Sequence, residues 1–224
     1  MNDDDSSSYW LNRLDDVMIN MTHPTSFSLL DAVASLGREM GPETADALLA
    51  DHPALFDFAP KLEAAFYDYA AASEDSEIRR LRSMKLTGPA AYCDVMSEKV
   101  TNTYNRVSDI FNWLDFAGCD RFVMVGCGQL PVSALHVHDR TDVGEVVCID
   151  VRPAAVADVD FLAGKLGMDN LRASVCDGKE FDYRGAQIVY VANMVRGKTA
   201  VVARILETAP QDVQIVVRAP AGLG

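Results

Sequence analysis

A basic surface is the first thing this 224-residue chain lacks: its formal net charge is −13, and no run of Lys or Arg forms a stripe. The densest basic group, Arg79, Arg80 and Arg82, is flanked by Glu74, Asp75 and Glu77. Phosphate polyanions and anionic membrane surfaces are held by concentrated positive charge, so neither nucleic acid nor membrane is expected as a partner. Long apolar runs are missing as well. Those present are strand length, short of the roughly 20 residues that cross a bilayer. The start, MNDDDSSSYW, is acidic where a secretory leader is basic and then apolar, so no targeting segment is visible and a cytoplasmic location is expected. Cys93, Cys119, Cys127, Cys148 and Cys176 form no CxxC pair and no His/Cys cluster. Reduced, buried thiols and no metal site follow from that spacing.

What is present is an ordinary globular composition, 49% apolar and 24% charged, which is enough for one substantial core with a smaller module. The chain changes character near residue 120. Before it, apolar residues recur at helical spacing: Leu29, Val33 and Leu36; Ala47 to Leu49; Leu62, Ala65, Phe66 and Tyr69; Ile110, Phe111 and Leu114. Turn chemistry separates them, at His23-Pro24-Thr25, Gly41-Pro42, His52-Pro53 and Gly88-Pro89. From residue 121 the pattern becomes strand, turn, helix. RFVMVG, EVVCID, LRASVCD, AQIVYVAN and VQIVVRAP read as strands, and Pro153 to Leu166 and Arg196 to Thr208 read as helices. Runs that are apolar on both faces suit a parallel sheet covered by helices. The expected fold is therefore α/β, a Rossmann-like doubly wound parallel sheet in residues 119–224 preceded by an all-helical module in residues 1–118.

Such sheets bind ligands outside the carboxyl ends of their strands. Here those ends carry Gly126-Cys127-Gly128, then Asp150, then Asp177-Gly178, then Asn193. A third glycine is missing: the position that completes a dinucleotide fingerprint is Pro131, so a pyrophosphate cradle is not expected. Asp150 is placed to hold both hydroxyls of a ribose, and Asp177 to accept from an adenine amino group. Two acids without a phosphate cradle suit an adenosine ligand that carries no phosphates, and S-adenosylmethionine is the common one. The cofactor-binding set expected is Gly126, Cys127, Gly128, Gln129, Pro131, Asp150, Val151, Asp177, Gly178 and Asn193.

The turn VGCGQLPVSALHV resembles the first-strand motif of the nicotianamine synthase family, a G-x-G-P-L-P-like turn. The resemblance continues in order through VVCIDVRPAAV, IVYVANMVRGKTAVVARIL and VVRAPAGLG, covering residues 122–224. It implies the class I methyltransferase sheet with an unusual use of S-adenosylmethionine as substrate. Enzymes of this kind spend the aminocarboxypropyl arm and leave methylthioadenosine, either by transfer to an amine, as in opine-type metallophore synthesis, or by closing the arm into azetidine-2-carboxylate for secondary metabolites. The sulfonium activates three carbons, so the product depends on which one faces an aligned nucleophile, and an attacking amine must first lose its proton.

The resemblance also implies a tyrosine base on the last helix before the sheet, assisted by an acid. Tyr104 fits the tyrosine by position, and Glu77 the acid, with Glu74 next. Each has a plainer role open to it, Tyr104 in helix packing and Glu77 as partner of Arg80 or Arg82. On the fourth strand Tyr190 is a candidate for a cation–π contact with the sulfonium, against core packing, and Asn193 for orienting the arm. His136 and His138, two apart, face different sides of a helix and read as surface or packing residues. The family has further chain beyond the fifth strand: either this chain is trimmed there, or the fifth strand is an edge that a homodimer is expected to cover. Two other functions stay open: a conventional small-molecule methyltransferase, and a non-catalytic adenosine-binding domain.

Overall fold

The computed structural model describes residues 8–13, 36, 39–53, 55, 59–86 and 95–218. The chain divides into two compact units, residues 1–72 with 219–224, and residues 73–218. Sequence periodicity places the division near 118. The sheet's unit begins at Ser73, so the helices just before the sheet pack as part of it.

In the first unit, α1 spans Pro42–Asp51. Gly41 precedes it at φ 73°, and Pro42 occupies the first turn, where its fixed φ and missing N–H cost nothing. Leu48 of the expected apolar face is buried, as is Leu36. Leu29 and Val33 lie outside the described residues. Helix α2, Ala59–Ser83, begins in this unit, and its last eleven residues belong to the second.

The second unit continues with α3 (Glu98–Phe111), β1 (Arg121–Val125), α4 (Val132–Arg140), β2 (Glu145–Asp150) and α5 (Pro153–Leu166). After them come β3 (Leu171–Val175), β4 (Ile188–Val191), α6 (Lys198–Thr208) and β5 (Gln214–Val217). Ser97 caps α3 by accepting from the Val100 amide at 3.4 Å, and Glu98 complements the helix dipole. All five expected strands form, and they pair in parallel in the order β3-β2-β1-β4-β5. The doubly wound sheet read from the strand pattern is the fold of the chain. Its switch point lies between β1 and β4, so residues at those two carboxyl ends border one crevice.

Side chains alternate across the strands and sort into two cores. Phe122, Met124, Cys148, Ile188 and Tyr190 pack with Ile78 and Leu81 of α2 and with apolar residues of α3, α4 and α5. Val123, Val125, Val147, Ile149, Val189 and Val191 pack with Tyr183 and with Val201 and Ile205 of α6. Both faces are thus covered, which is why the strands are uninterrupted apolar runs. Among the described residues no helix is long and apolar enough to cross a membrane.

Candidate active site at the carboxyl ends of the strands

The turn after β1 is built on main-chain geometry. Gly126 and Gly128 have φ of 73° and 67°, left-handed values that favour glycine. The amides of Gly126 and Cys127 both donate to the Ile149 carbonyl, at 2.8 and 3.1 Å, and tie the turn to β2. From sequence, the two glycines read as sites of close ligand approach. The structure shows the protein itself approaching: a Cβ on Gly126 would lie 2.4 Å from the Val195 side chain, and one on Gly128 would lie 2.6 Å from Glu74 Oε2.

Asp150 closes β2 with its side chain buried, as position alone suggests. Its Oδ2 accepts from the Gly128 amide at 2.9 Å, and its Oδ1 accepts from the Arg152 amide at 2.9 Å and from Arg152 Nε at 3.2 Å. The carboxylate is thereby held at the foot of the glycine turn, an acceptor suited to vicinal hydroxyls. Val151, 61% exposed, and Val175, 53% exposed, stand at the carboxyl ends of β2 and β3.

Glu74, half-buried on α2, reaches the same turn. Its Oε2 accepts from the Gln129 amide at 2.9 Å. Burial pushes its carboxyl above the usual carboxylate range, with Asp150 adding to the rise, against the opposing pull of the Gln129 and Leu130 amides and of the Arg152 guanidinium. A carboxylate whose proton affinity is raised by burial is a candidate proton acceptor. The Gln129 side chain runs on to α5, where its Nε2 donates to Asp158 Oδ2 at 2.9 Å.

The remaining expected residues divide clearly. Glu77 is buried, but its carboxylate is held by two nitrogens of Arg80, which also donates to the Val95 carbonyl at 2.7 Å, so Glu74 and not Glu77 meets the turn. The Tyr104 hydroxyl donates to Asp139 Oδ2 at 2.6 Å and accepts from Arg140 Nε at 3.2 Å. Those partners close α4, whereas the turn opens it. Seven residues of helix, about 10 Å at 1.5 Å per residue, separate the two ends. Tyr190 is 2% exposed, edge-on to Phe111 at 5.5 Å, with its hydroxyl taking a hydrogen bond from Arg218, so its ring presents no face to a ligand.

Cys127 is buried, and its hydrogen bond with Cys148, followed by burial, drives its thiol strongly upward, which makes it a packing group rather than a nucleophile. Pro131 precedes the first turn of α4 and is buried. Asp177 is half-buried and satisfied locally by the amide and ammonium of Lys179, each at 3.0 Å; the amide first and then the side chain hold it below the usual range. Gly178 is required by the protein, since a Cβ there would lie 2.6 Å from Val125 Cγ1. Asn193, at the end of β4, has its carbonyl bound by Lys198 Nζ at 2.7 Å, while its side-chain Oδ1 is buried with no protein partner. That orphan acceptor faces the cost of an unmade hydrogen bond, which a ligand N–H donor would relieve.

His136 packs between Tyr104 and Phe111, and His138 Nδ1 lies 2.6 Å from Asn170 Oδ1. Cys119, Cys127, Cys148 and Cys176 are free; Cys93 lies outside the described residues. No three His, Cys, Asp or Glu residues among those described come together as a metal site.

Comparison with known proteins agrees with the family resemblance. No protein-family model matches the chain. An L-histidine 2-aminobutanoyltransferase of Yersinia pestis is 24% identical over 187 residues, 77% of this chain and 67% of that protein. Among solved structures, MtNAS in complex with MTA and tNA superposes with a TM-score of 0.72 at 15% identity, covering 99% of this chain and 88% of that one. A point mutant of MtNAS in complex with S-adenosylmethionine gives a TM-score of 0.71 at 14% identity, covering 93% of this chain and 81% of that one.

Proposed function

We propose, from the premise that this chain is a nicotianamine synthase-like protein, that it consumes S-adenosylmethionine by attack of an amine on Cγ of the aminocarboxypropyl arm. The amine lone pair forms the new C–N bond as the Cγ–S bond breaks. The bonding electrons go to the sulfonium, which leaves as neutral methylthioadenosine, and the amine's extra proton goes to a base.

The observation that carries this reading is the Glu74 carboxylate, seated on the turn amides beside Asp150 with its proton affinity raised by burial. Glu74 takes the part that sequence position gave to Glu77, deprotonating the attacking ammonium. Asp150 holds the ribose hydroxyls, Val151 and Val175 flank the adenine, and Asn193 Oδ1 accepts from the arm's ammonium or from the acceptor amine. These groups fit the adenosine ligand that the sequence implies. The curated relative's name favours an external amine as acceptor over self-cyclisation.

Incubation with S-adenosylmethionine, alone and with histidine or other amines, tests the reading. Methylthioadenosine is expected, with a new C–N bond on the acceptor. Methylthioadenosine with azetidine-2-carboxylate and no acceptor would select the cyclase. Formation of S-adenosylhomocysteine would replace the proposal with methyl transfer, and binding without turnover would leave a non-catalytic domain.

A further inference from the structure

Asp158 is a charged residue in the middle of an apolar helix stripe. On α5 it falls in register with Ala155, Val159, Leu162 and Leu166, all of them buried, and is itself only 8% exposed. Placing a carboxylate there costs free energy that an apolar side chain of similar size would not. Its two contacts show what it holds: Oδ2 accepts from Gln129 Nε2 at 2.9 Å, and Oδ1 from Arg82 Nη2 at 2.6 Å.

Both partners lead to Glu74. Arg82 stands two helical turns beyond Glu74 on α2, stacked 4.2 Å over the Phe161 ring, and its carbonyl accepts from Lys165 Nζ at 3.2 Å. Helix α5 therefore grips the end of the helix that delivers Glu74. Gln129 is the turn residue whose amide receives the Glu74 carboxylate. Glu74, Gln129, Asp158 and Arg82 form a closed ring through helix, turn and helix.

We propose that Asp158 is a positioning residue, which fixes Gln129 on one side and α2 on the other so that the Glu74 carboxylate keeps its seat over Gly128. The part it plays in turnover rests on the reading above that Glu74 is the base. Asp158 reaches Glu74 by geometry, through Gln129 and Arg82. Misplacing a reacting group by about 1 Å can cost on the order of 100-fold in rate.

Exchange of the two hydrogen-bonding groups tests the turnover part. In Gln129→Glu two carboxylates meet, and kcat for methylthioadenosine release is expected to fall roughly 10- to 100-fold. Adding Asp158→Asn restores the bond with its polarity reversed, and about 10-fold of the loss is expected to return. A double variant no better than the product of the two single variants would overturn the proposal. Hydrogen exchange in the ligand-free protein tests the positioning itself. Asp158→Ala is expected to speed exchange of the Gln129 amide about 10-fold while β1 amides keep their protection. Unchanged protection at Gln129 would overturn the proposal even in a protein that turns over. If the wild type releases no methylthioadenosine, the catalytic reading fails, while the exchange result still decides whether Asp158 sets the seat of Glu74.

Discussion

Glu74 Oε2 lies where a side chain on residue 128 would have to go. A Cβ there would stand 2.6 Å from it, on a backbone at φ 67°. The second glycine of the turn is therefore demanded twice, by its conformation and by a carboxylate of the same chain. Gly128→Ala is expected to lose about 1–2 kcal/mol from the left-handed backbone alone and at least about 10-fold in methylthioadenosine release as Glu74 is displaced. Both a melting curve and a product assay read this variant, and an unchanged rate would show that the seat of Glu74 is irrelevant to turnover.

Glu74→Gln separates stability from chemistry. Burial raises the folded-state pKa of Glu74 above its unfolded value, so its stabilising contribution is full only below the ordinary carboxylate pKa and is lost as pH rises through the folded value. Above the folded-state pKa the charged form is a cost, which glutamine relieves while its oxygen still accepts from the Gln129 amide. A rise in Tm of roughly 2–4 °C is expected, equivalent to about 1 kcal/mol in a chain of this size, with turnover reduced about 10²- to 10⁴-fold. Full activity in this variant would remove Glu74 from the mechanism.

Asp150 organises the turn before any ligand arrives, through the Gly128 amide and Arg152. Its replacement should therefore weaken binding of the adenosine part regardless of the arm. Calorimetry with methylthioadenosine, which lacks the arm, is expected to show at least about 10-fold weaker binding for Asp150→Asn, since a bidentate carboxylate contact is worth about 1.5–3 kcal/mol. Equal affinity would place the ribose elsewhere.

Much of this site was legible because strand ends are a local property. Apolar runs closed by Gly126, Asp150, Asp177 and Asn193 place those residues on one edge of any parallel sheet in this order. What was not legible is which face of α2 docks on the turn. Glu74 and Glu77 lie three residues apart, about 60° around the helix, and only packing decides that Glu74 meets Gln129 while Glu77 turns to Arg80. Tyr104 and Tyr190 depend on packing in the same way: the Tyr104 hydroxyl bonds to Asp139 on α4, and the Tyr190 ring lies edge-on to Phe111. Asp158 did carry a signal, a charge on an apolar stripe, whose partners could not be named without the fold.

Tyr104 is the simplest of these residues to check. With its hydroxyl bound to Asp139 and Arg140 at the end of α4 remote from the turn, Tyr104→Phe is expected to keep kcat within about 2-fold. It should lose stability, by about 1–3 kcal/mol for a hydrogen bond to a charged partner. A large fall in kcat at unchanged Tm would return Tyr104 to the reaction.

His136 gives the acid limb of stability. It is 6% exposed, its Nδ1 has no partner, and Tyr104 and Phe111 pack against its ring. Burial lowers its pKa below the ordinary imidazole value of about 6.5; the Arg140 charge lowers it further and Asp139 partly opposes this. The unfolded chain therefore takes up a proton first as pH falls. The stabilisation by neutral His136 is complete above about 6.5 and is lost as pH falls from there toward the folded value, at a slope of up to about 1.4 kcal/mol per pH unit. His136→Phe keeps a ring between Tyr104 and Phe111 and removes the titration. Between pH 7.5 and 5, Tm of the wild type is expected to fall more steeply than that of the variant, and parallel curves would assign the acid sensitivity to another group.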